Sequence, residues 1–207
     1  MQGDPQHGSL NPHPLHNQVY PPDEDTWLLL GAALRDVHPE DRVCEVGTGS
    51  GVIAAELSRR ARIVATEINP HALATARGLG VDVVRTDLLS GIAGPCDLVV
   101  FNPPYLPTAP AERMDDWMEC ALDGGMTGRE VIARFLSDVG RVLSPYGRVL
   151  LLVSSLTGIH EVQAACTEAG FITFVVAERA LDDEKLYVLR LTKDLCRIGN
   201  DTLRGDI

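Results

Sequence analysis

The chain has 207 residues, 45% of them hydrophobic, and a formal net charge of −11 at pH 7. Its length suits one α/β domain with a full core rather than two domains. The acidic balance disfavours a nucleic-acid substrate, because proteins that grip a phosphate backbone concentrate Lys and Arg on one face. No apolar run approaches the roughly 18 residues of a membrane-spanning helix and no signal pattern is evident, so we expect a cytoplasmic protein without a membrane role.

Residues 1–18 are rich in Pro, His, Gln, Asn and Gly, show no periodicity, and predict a mobile tail. His7, His13 and His16 lie in this tail. A metal site there is not favoured, because no Cys or acidic partner stands at a fixed spacing from them. The five cysteines of the chain are scattered without a CxxC pair, so neither a zinc site nor a disulfide framework is expected.

Ordered structure is predicted to begin at Val19 and to continue into a helix that reaches about residue 34. Acidic residues at 23–25 precede the apolar pattern of this helix, and acidic residues in a first turn are favoured by the helix dipole. The sequence leaves two interpretations of this acidic cluster open. It caps the helix and does nothing more, or Thr26 and its neighbours close over a cofactor.

A glycine loop of the pattern GxGxG, residues 47–51, follows a predicted strand at 42–46 and precedes a predicted helix at 52–57. Such a loop lets the backbone pass close to a ligand at a helix N-terminus. The next predicted strand ends at Glu67, 20 residues after Gly47. An acid at that distance can accept both hydroxyls of a ribose. The loop alone is weak evidence, whereas the order strand, loop, helix, strand, acid is much stronger.

A helix from residue 69 to about 79 and a third strand at 81–85 are predicted next. Asp87 and Leu88 lie just past this strand. The carboxylate of Asp87 could accept from the amino group of an adenine, with Leu88 packing on the ring. An ordinary turn aspartate is an equally good interpretation of Asp87.

The apolar run at 96–100 predicts a buried parallel strand, which ends in the sequence FNPPY at 101–105. Two consecutive prolines cannot continue a sheet ladder, and open α/β sheets bind ligands at the carboxyl ends of their strands. The motif provides two fixed hydrogen-bond acceptors, the side-chain oxygen of Asn102 and the backbone carbonyl oxygen of Pro103. Two such acceptors suit a planar NH2 group, which has two donors. Tyr105 can supply an aromatic wall for that group. Taken alone, the motif could equally be a turn that ends a strand.

The second half of the chain is predicted to complete the sheet. Residues 106–127 contain Met114, Trp117 and clusters of Pro and Gly, and they predict a lid over the substrate. Residues 194–207 predict a polar C-terminal tail that follows a domain at 19–193. The other predicted elements are a helix at 128–143, a turn at 144–147, a strand at 148–153, a helix at 158–169, and a hairpin-like strand pair at 171–178 and 185–192.

These elements predict an α/β fold with a Rossmann-like seven-stranded sheet whose last strand is antiparallel. At EVGTGSG (residues 45–51) and NPPY (residues 102–105) the chain resembles class I S-adenosylmethionine-dependent methyltransferases. It is similar in particular to the HemK-type glutamine methyltransferases of peptide-chain release factors. YPPDEDT at 20–26 and GGMTGRE at 124–130 resemble the signatures of the short archaeal and eukaryotic branch. The absence of an N-terminal helical domain is expected to set the chain apart from the long bacterial type.

The resemblance covers residues 19–193 and implies an S-adenosylmethionine-dependent enzyme that methylates the glutamine side chain of a release factor, in translation termination. It also implies a heterodimer, in which a small zinc-binding activator subunit pairs with the edge strand at 81–85. Glu67 is a mild departure, because relatives often carry Asp there, but the longer carboxylate can still reach the ribose. The implied cofactor residues are Thr26, Glu45, Gly47, Gly49, Glu67, Asp87, Leu88 and Asn102. The residues implied to hold the target amide are Asn102, Pro103 and Tyr105.

Other functions remain open from the sequence. NPPY also serves adenine N6 methyltransferases of DNA or RNA, whose target is likewise a planar NH2 group, and a protein lysine methyltransferase is a further alternative. Size, acidity and the lack of a target-recognition domain favour a protein substrate. An NAD-dependent oxidoreductase would use a glycine loop and an acid, but it would not need NPPY, and no Tyr-x-x-x-Lys pair is present. A non-catalytic partner-binding module is the least favoured alternative.

Overall fold

Seven strands form one sheet in the computed structural model of the protein, which describes residues 15–109 and 116–194. Their positions follow the predicted elements closely, with boundaries that differ by one to three residues in most cases. In sequence order the strands are β1 (Arg42–Val46), β2 (Arg62–Glu67), β3 (Val83–Arg85), β4 (Cys96–Phe101), β5 (Leu143–Ser154), β6 (Phe171–Ala180) and β7 (Lys185–Lys193).

The strand order is β3-β2-β1-β4-β5-β7-β6, with β7 antiparallel to both of its neighbours and the other pairs parallel. This confirms the predicted Rossmann-like sheet with an antiparallel last strand. From β1 the polypeptide builds outward through β2 to β3, and it then returns to place β4 on the other side of β1. The reversal leaves a crevice beyond the carboxyl ends of β1 and β4, where open α/β sheets bind ligands.

Helices cover both faces of this sheet, as a mostly parallel sheet requires. The helix before β5 has a buried stripe at residues 132, 135, 136, 139 and 142, the spacing of one helical face. The helices are α1 (Glu24–Asp36), α2 (Val52–Leu57), α3 (Pro70–Gly78), α4 (Trp117–Cys120), α5 (Glu130–Val142) and α6 (Ile159–Glu168).

Alternate side chains of β4 enter the two halves of the core. Leu98 and Val100 pack in the cluster that contains α1 and α2, and Val99 and Phe101 pack in the cluster that contains α5 and α6. These four side chains are at most 1% exposed. The ring of Phe101 lies 4.7 Å from that of Phe135, centroid to centroid. The core therefore holds β4 from both sides up to the residue that precedes Asn102.

Three local features differ from the prediction. Residues 144–147, predicted as a turn, form a bulge within β5, because the register with β4 shifts between Cys96 and Leu98. The short helix α4 within the predicted lid had no sequence signal. The third strand begins at residue 83 rather than 81, and the side chains of Val81 and Val83 are buried in a small cluster with α3.

Most of the two predicted tails, including His7 and His13, falls outside the described residues, as does Met114 of the predicted lid. Residues 15–18 are described, although the sequence places them in the N-terminal tail. Within the described ranges, no helix is long and apolar enough to cross a bilayer, and no group of three or more His, Cys, Asp or Glu side chains could hold a metal ion.

Candidate active site

A cavity of about 470 Å³ opens at the carboxyl ends of β1 and β4. It is bounded by the loops that follow β1, β2, β3 and β4, by the start of α1, by α4, and by Glu184 from the turn before β7. All ten residues singled out from the sequence line it. They are Thr26, Glu45, Gly47, Gly49, Glu67, Asp87, Leu88, Asn102, Pro103 and Tyr105.

The glycine loop leaves open space at one end of this cavity. Gly47, Gly49 and Gly51 have φ angles of 61°, 54° and 81°, in the left-handed region that side chains disfavour. A Cβ atom on Gly51 would lie 2.8 Å from the Cα of Ala76, so this glycine allows α2 and α3 to pack closely. A Cβ atom on Gly49 would meet nothing within 4 Å. The loop therefore provides both helix packing and room for a ligand beside its backbone.

Glu67 is held in place by backbone N–H groups. Its Oε2 accepts from Gly49 N at 2.8 Å, and its Oε1 accepts from Ile68 N and Asn69 N at 2.8 Å each. Burial raises the pKa of this carboxyl, while the three hydrogen bonds oppose the shift. A carboxylate has about four acceptor positions. Because Oε2 of Glu67 accepts only from Gly49 N among the described residues, it has room for one further hydrogen bond from a ligand hydroxyl.

Glu45 lies beneath the glycine loop and is 4% exposed. Its Oε2 accepts from the hydroxyl of Thr48 at 2.5 Å. Burial raises the pKa of Glu45 to about 8, with the Thr48 hydrogen bond acting in the opposite direction. This carboxyl can therefore carry a proton near neutral pH, and a positively charged ligand would favour its ionised form.

Asp87 and Leu88 lie together at another part of the cavity wall. Asp87 accepts from the guanidinium of Arg134, which α5 extends into the same wall. Leu88 has a φ of 47° and packs against the core, so its backbone turns sharply at this point. No sequence pattern pointed to Arg134, because the ion pair joins residues 47 positions apart.

Asn102 has one end of its side chain engaged and the other unpartnered. Its Nδ2 donates to Oδ2 of Asp25 at 3.0 Å. Because a carboxylate can only accept, this contact fixes which end of the amide is the nitrogen. Within the described ranges, the buried Oδ1 of Asn102 has no hydrogen-bond partner. A buried acceptor left unpaired costs about 1–3 kcal/mol, so the turn holds an acceptor that a ligand donor would satisfy.

Asp25 is a further functional candidate that the sequence patterns do not single out. The capping of α1 is performed by Asp23 and Thr26, which form a reciprocal capping box. Asp25 is 4% exposed, and its Oδ1 accepts from both the N–H and the hydroxyl of Thr26. Of the two interpretations left open by the sequence, capping therefore accounts for Asp23 and Thr26, and Asp25 supports Asn102.

Carboxylates and phenols cluster at the end of the cavity that contains Asn102. Burial, followed by the charges of Asp25 and Glu184, raises the pKa of Tyr105. Burial and the charges of Asp25 and Asp23 likewise raise the pKa of Tyr20. Glu184 accepts from the hydroxyl of Ser154. Both phenols therefore stay protonated at neutral pH in a negative environment, which would stabilise positive charge.

The glycine-rich signature at 124–130 packs behind the acceptor turn. Leu106 N donates to Leu122 O at 3.0 Å, and Gly124 N donates to Leu106 O at 2.9 Å. Gly128 has a φ of 73°, and a Cβ atom there would lie 2.4 Å from the carbonyl oxygen of Tyr105. This signature therefore supports the segment that follows Asn102 and Pro103.

Comparisons with known proteins agree with this geometry. Residues 21–115 match the family model "Methyltransferase small domain". The chain is 36% identical over 183 residues to a protein of Methanocaldococcus jannaschii, provisionally named a protein N5-glutamine methyltransferase, and the match covers 84% of this chain and 92% of that one. It is 37% identical over 194 residues to the human methyltransferase HEMK2, over 86% of this chain and 91% of the relative.

A solved structure is similar over nearly its whole length. It belongs to the E. cuniculi Mtq2–Trm112 complex, which is described as responsible for methylation of the translation termination factor eRF1. The TM-score is 0.73 and the sequence identity is 37%, over 85% of this chain and 99% of the solved one.

Proposed function

The chain belongs to the family of HemK-type protein N5-glutamine methyltransferases, in its short archaeal and eukaryotic branch, and on this premise we propose that it methylates the side-chain amide of a glutamine. S-adenosylmethionine is the proposed methyl donor. A peptide-chain release factor is the proposed substrate, which is supported by the termination factor that the E. cuniculi complex methylates.

The observation that carries this proposal is the buried Oδ1 of Asn102, which has no hydrogen-bond partner among the described residues and lies beside a cavity and next to two prolines. A glutamine side chain ends in an NH2 group with two donors. Asn102 Oδ1 and the carbonyl oxygen of Pro103 are the two acceptors proposed for them. Tyr105, which lines the same cavity, is the proposed aromatic wall against the planar amide.

The residues at the other end of the cavity fit S-adenosylmethionine. The space beside Gly49 admits a ligand close to the backbone, and Glu67 retains an acceptor position for a ribose hydroxyl. Asp87 and Leu88 are the proposed contacts of the adenine. When bound, S-adenosylmethionine supplies a methyl group made electrophilic by its sulfonium.

The contribution of the protein to the reaction is orientation and electrostatics. An amide nitrogen is a poor nucleophile, because its lone pair is delocalised into the carbonyl. Asn102 and Pro103 would fix the direction of the NH2 group, and alignment can lower a barrier by up to roughly 7–11 kcal/mol in ideal cases. The carboxylates of Asp25 and Glu184 would stabilise the positive charge that develops on the nitrogen.

The charge of the cavity argues for a protein substrate over DNA or RNA. Six Asp or Glu residues line it among the described residues, against one basic side chain, that of Arg134. A phosphate backbone near this wall would be repelled, and the net charge of −11 adds to that repulsion. A polypeptide segment carries no such penalty.

A small partner subunit is proposed at the free edge of β3. Asp82 O and Thr86 N hydrogen-bond to β2, so the intervening N–H groups of Val83 and Arg85 point away from the sheet. Val84 is 38% exposed on this short strand. A partner strand could pair with these groups and extend the sheet. That this subunit binds zinc follows from the resemblance alone.

A matched pair of variants tests the β3 edge. Val83→Pro removes an outward N–H that a partner strand would use, whereas Val83→Ala trims the same buried side chain and keeps the N–H. We expect the partner to copurify with the Ala variant and not with the Pro variant. If the protein without a partner is monomeric and fully active, the heterodimer is wrong.

The proposed activity is tested by incubating the protein with labelled S-adenosylmethionine and three acceptors. The acceptors are a release factor, adenine-containing DNA or RNA, and a histone-like protein. We expect label in the release factor alone, on a glutamine, and no transfer by Asn102→Ala, although that variant still binds the cofactor. Label in adenine or lysine would overturn the proposed substrate.

A further inference from the structure

The segment before α1 is tied to the wall of the cavity by a turn at residues 16–19, here called the strap. Val19 N donates to His16 O at 2.9 Å, and Gln18 N donates to Nδ1 of His16 at 3.2 Å. The side chain of Val19 is 2% exposed. The strap is thus a defined turn whose anchor, Val19, lies where ordered structure was predicted to begin, although the sequence predicts a mobile tail for residues 16–18.

Gln18 joins two elements that line the cavity. Its Oε1 accepts from Trp117 N at 2.9 Å, at the start of α4 and 99 residues away in sequence. Its backbone carbonyl accepts from Nδ2 of Asn69 at 2.7 Å. Asn69 caps α3, and both Asn69 and Trp117 line the cavity. One residue of the strap therefore connects α4 to the sheet domain.

His16 provides a second attachment of the strap to α3. Its ring stacks on that of His71, with centroids 4.0 Å apart and planes inclined by 7°. His71 lies in the first turn of α3, two residues after Asn69. The carbonyl of Gln18 and the ring of His16 thus hold the strap against α3 from adjacent positions.

The helix α4 depends on its attachments. It has four residues and none of them is buried, and a helix of that length does not persist on its own. Its far end continues into residues that hydrogen-bond to Leu106. Its first residue is held by Gln18. Trp117 and Cys120 of α4 line the cavity, so the position of α4 sets how far this wall is closed.

We propose that Gln18 is a positioning residue for the cofactor, which anchors α4 against α3 so that this wall of the cavity stays closed over bound S-adenosylmethionine. The proposal rests on the proposed function only for the identity of the ligand. Because the strap orders α4 before the ligand arrives, the ordering cost is not subtracted from binding. Loss of the anchor should therefore weaken binding, mainly through faster release.

The test compares Gln18→Ala with Gln18→Glu in the full-length protein, both in a Trp27→Phe background that leaves Trp117 as the remaining tryptophan. Glu keeps an oxygen acceptor for the N–H of Trp117, and Ala does not. Calorimetry gives the Kd for S-adenosylmethionine, and stopped-flow fluorescence of Trp117 gives its release rate. Because one hydrogen bond is lost, we expect both the Kd and the release rate of the Ala variant to rise about three- to tenfold. Both quantities should stay within about twofold of the parent in the Glu variant.

Steady-state kinetics and melting separate positioning from a general loss of structure. In Gln18→Ala we expect the KM for S-adenosylmethionine to rise with little change in kcat or Tm. An unchanged release rate in the Ala variant, or an equal increase in the Ala and Glu variants, overturns the proposal. Absence of any binding of S-adenosylmethionine to the parent protein would instead overturn the proposed function, and with it the cofactor named here.

Discussion

Asn102 and Asp25 form the hydrogen-bonded pair on which the proposed site for the target amide depends. Asn102 follows a strand that the core holds on both faces, whereas Asp25 belongs to the first turn of α1, 77 residues earlier. The carboxylate determines which end of the Asn102 amide is left for a ligand. A single charge thus converts an ordinary asparagine into an acceptor with one orientation.

Asp25→Asn should disable this orientation without removing bulk. The new amide can accept from Thr26 with its oxygen, but it then presents NH2 to the NH2 of Asn102, which favours rotation of the Asn102 amide. We expect kcat to fall by about a hundredfold, the scale of losing one preorganised polar contact, with the KM for S-adenosylmethionine nearly unchanged. Glu24→Gln is the matched control, because Glu24 pairs with Arg179 and is 46% exposed. Equal kcat values in the two variants would contradict the role of Asp25.

Glu45 makes stability depend on pH in the direction opposite to most carboxylates. Its ordinary pKa of 4.5 is raised to about 8 in the fold, mainly by burial. The folded protein therefore holds a proton that the unfolded protein releases, and stability is lost as pH rises from about 4.5 to about 8.

Glu45→Gln removes this titration and keeps an acceptor for Thr48. Without cofactor, the free energy of unfolding of the variant minus that of the wild type should increase by up to roughly 4–5 kcal/mol between pH 5 and pH 9. Urea denaturation of both proteins across that range measures the difference. A constant difference would show that Glu45 ionises normally.

At the scale of elements, the signature at 124–130 acts as a support for the acceptor turn. Gly128→Ala would place a methyl group against the carbonyl of Tyr105 and impose a positive φ on a residue that disfavours it. We expect most methyl transfer to be lost while cofactor binding falls little, because the glycine loop lies at the other end of the cavity.

Gly140→Ala is the matched control for this glycine. Gly140 lies within α5, and a Cβ atom there would meet nothing within 4 Å. Alanine should stabilise this helix by about 0.5–1 kcal/mol and leave activity unchanged. Thermal melts and transfer assays of the two variants distinguish support of the turn from a general intolerance of added side chains.

At the scale of the whole molecule, Arg148 of β5 joins the end of α1, the loop before β1 and the start of β4, at the amino ends of the strands. It is 6% exposed, and it donates to the carboxylates of Asp36 and Asp41 and to the backbone carbonyls of Asp36 and Asp97. Each nitrogen of its guanidinium has an acceptor, as a buried charge requires. Burial acts to raise the pKa of Asp41, but hydrogen bonds from Arg148 and from the backbone of His38 outweigh it and lower that pKa.

Arg148→Met should destabilise the protein by about 3–5 kcal/mol at pH 7, because it leaves the carboxylates of Asp36 and Asp41 without their partner. The lowered pKa of Asp41 means that this contribution is present at neutral pH and is lost as pH falls below about 4. The difference between the two proteins should therefore narrow in urea denaturation at pH 3. Arg42→Met, which removes a pair with 51% of the arginine exposed, should change the stability far less than Arg148→Met, because solvent screens that pair.

Local patterns were enough to predict the elements, the class of sheet and most of the ten candidate residues, whereas Glu45 was implied by the family resemblance alone. Apolar periodicity sets a strand or helix, glycine permits a positive φ, and two prolines end a ladder, and each of these effects acts over a few neighbouring residues. The family resemblance added the chemistry of the two ends of the cavity. The third strand begins two residues later than predicted, and the side chains of Val81 and Val83 pack in a cluster with α3.

The tertiary fold decided which residues contact one another. The contacts at the cavity join residues that are 77, 47 and 99 positions apart in sequence, namely Asp25 with Asn102, Asp87 with Arg134, and Gln18 with the backbone of Trp117. No periodicity encodes such pairs, because each depends on where two helices or loops come to rest over the same strand ends. Asp25 illustrates the reason. In sequence it is one of three acidic residues at a helix start, and its function emerges only when folding buries it against an amide that needs an acceptor.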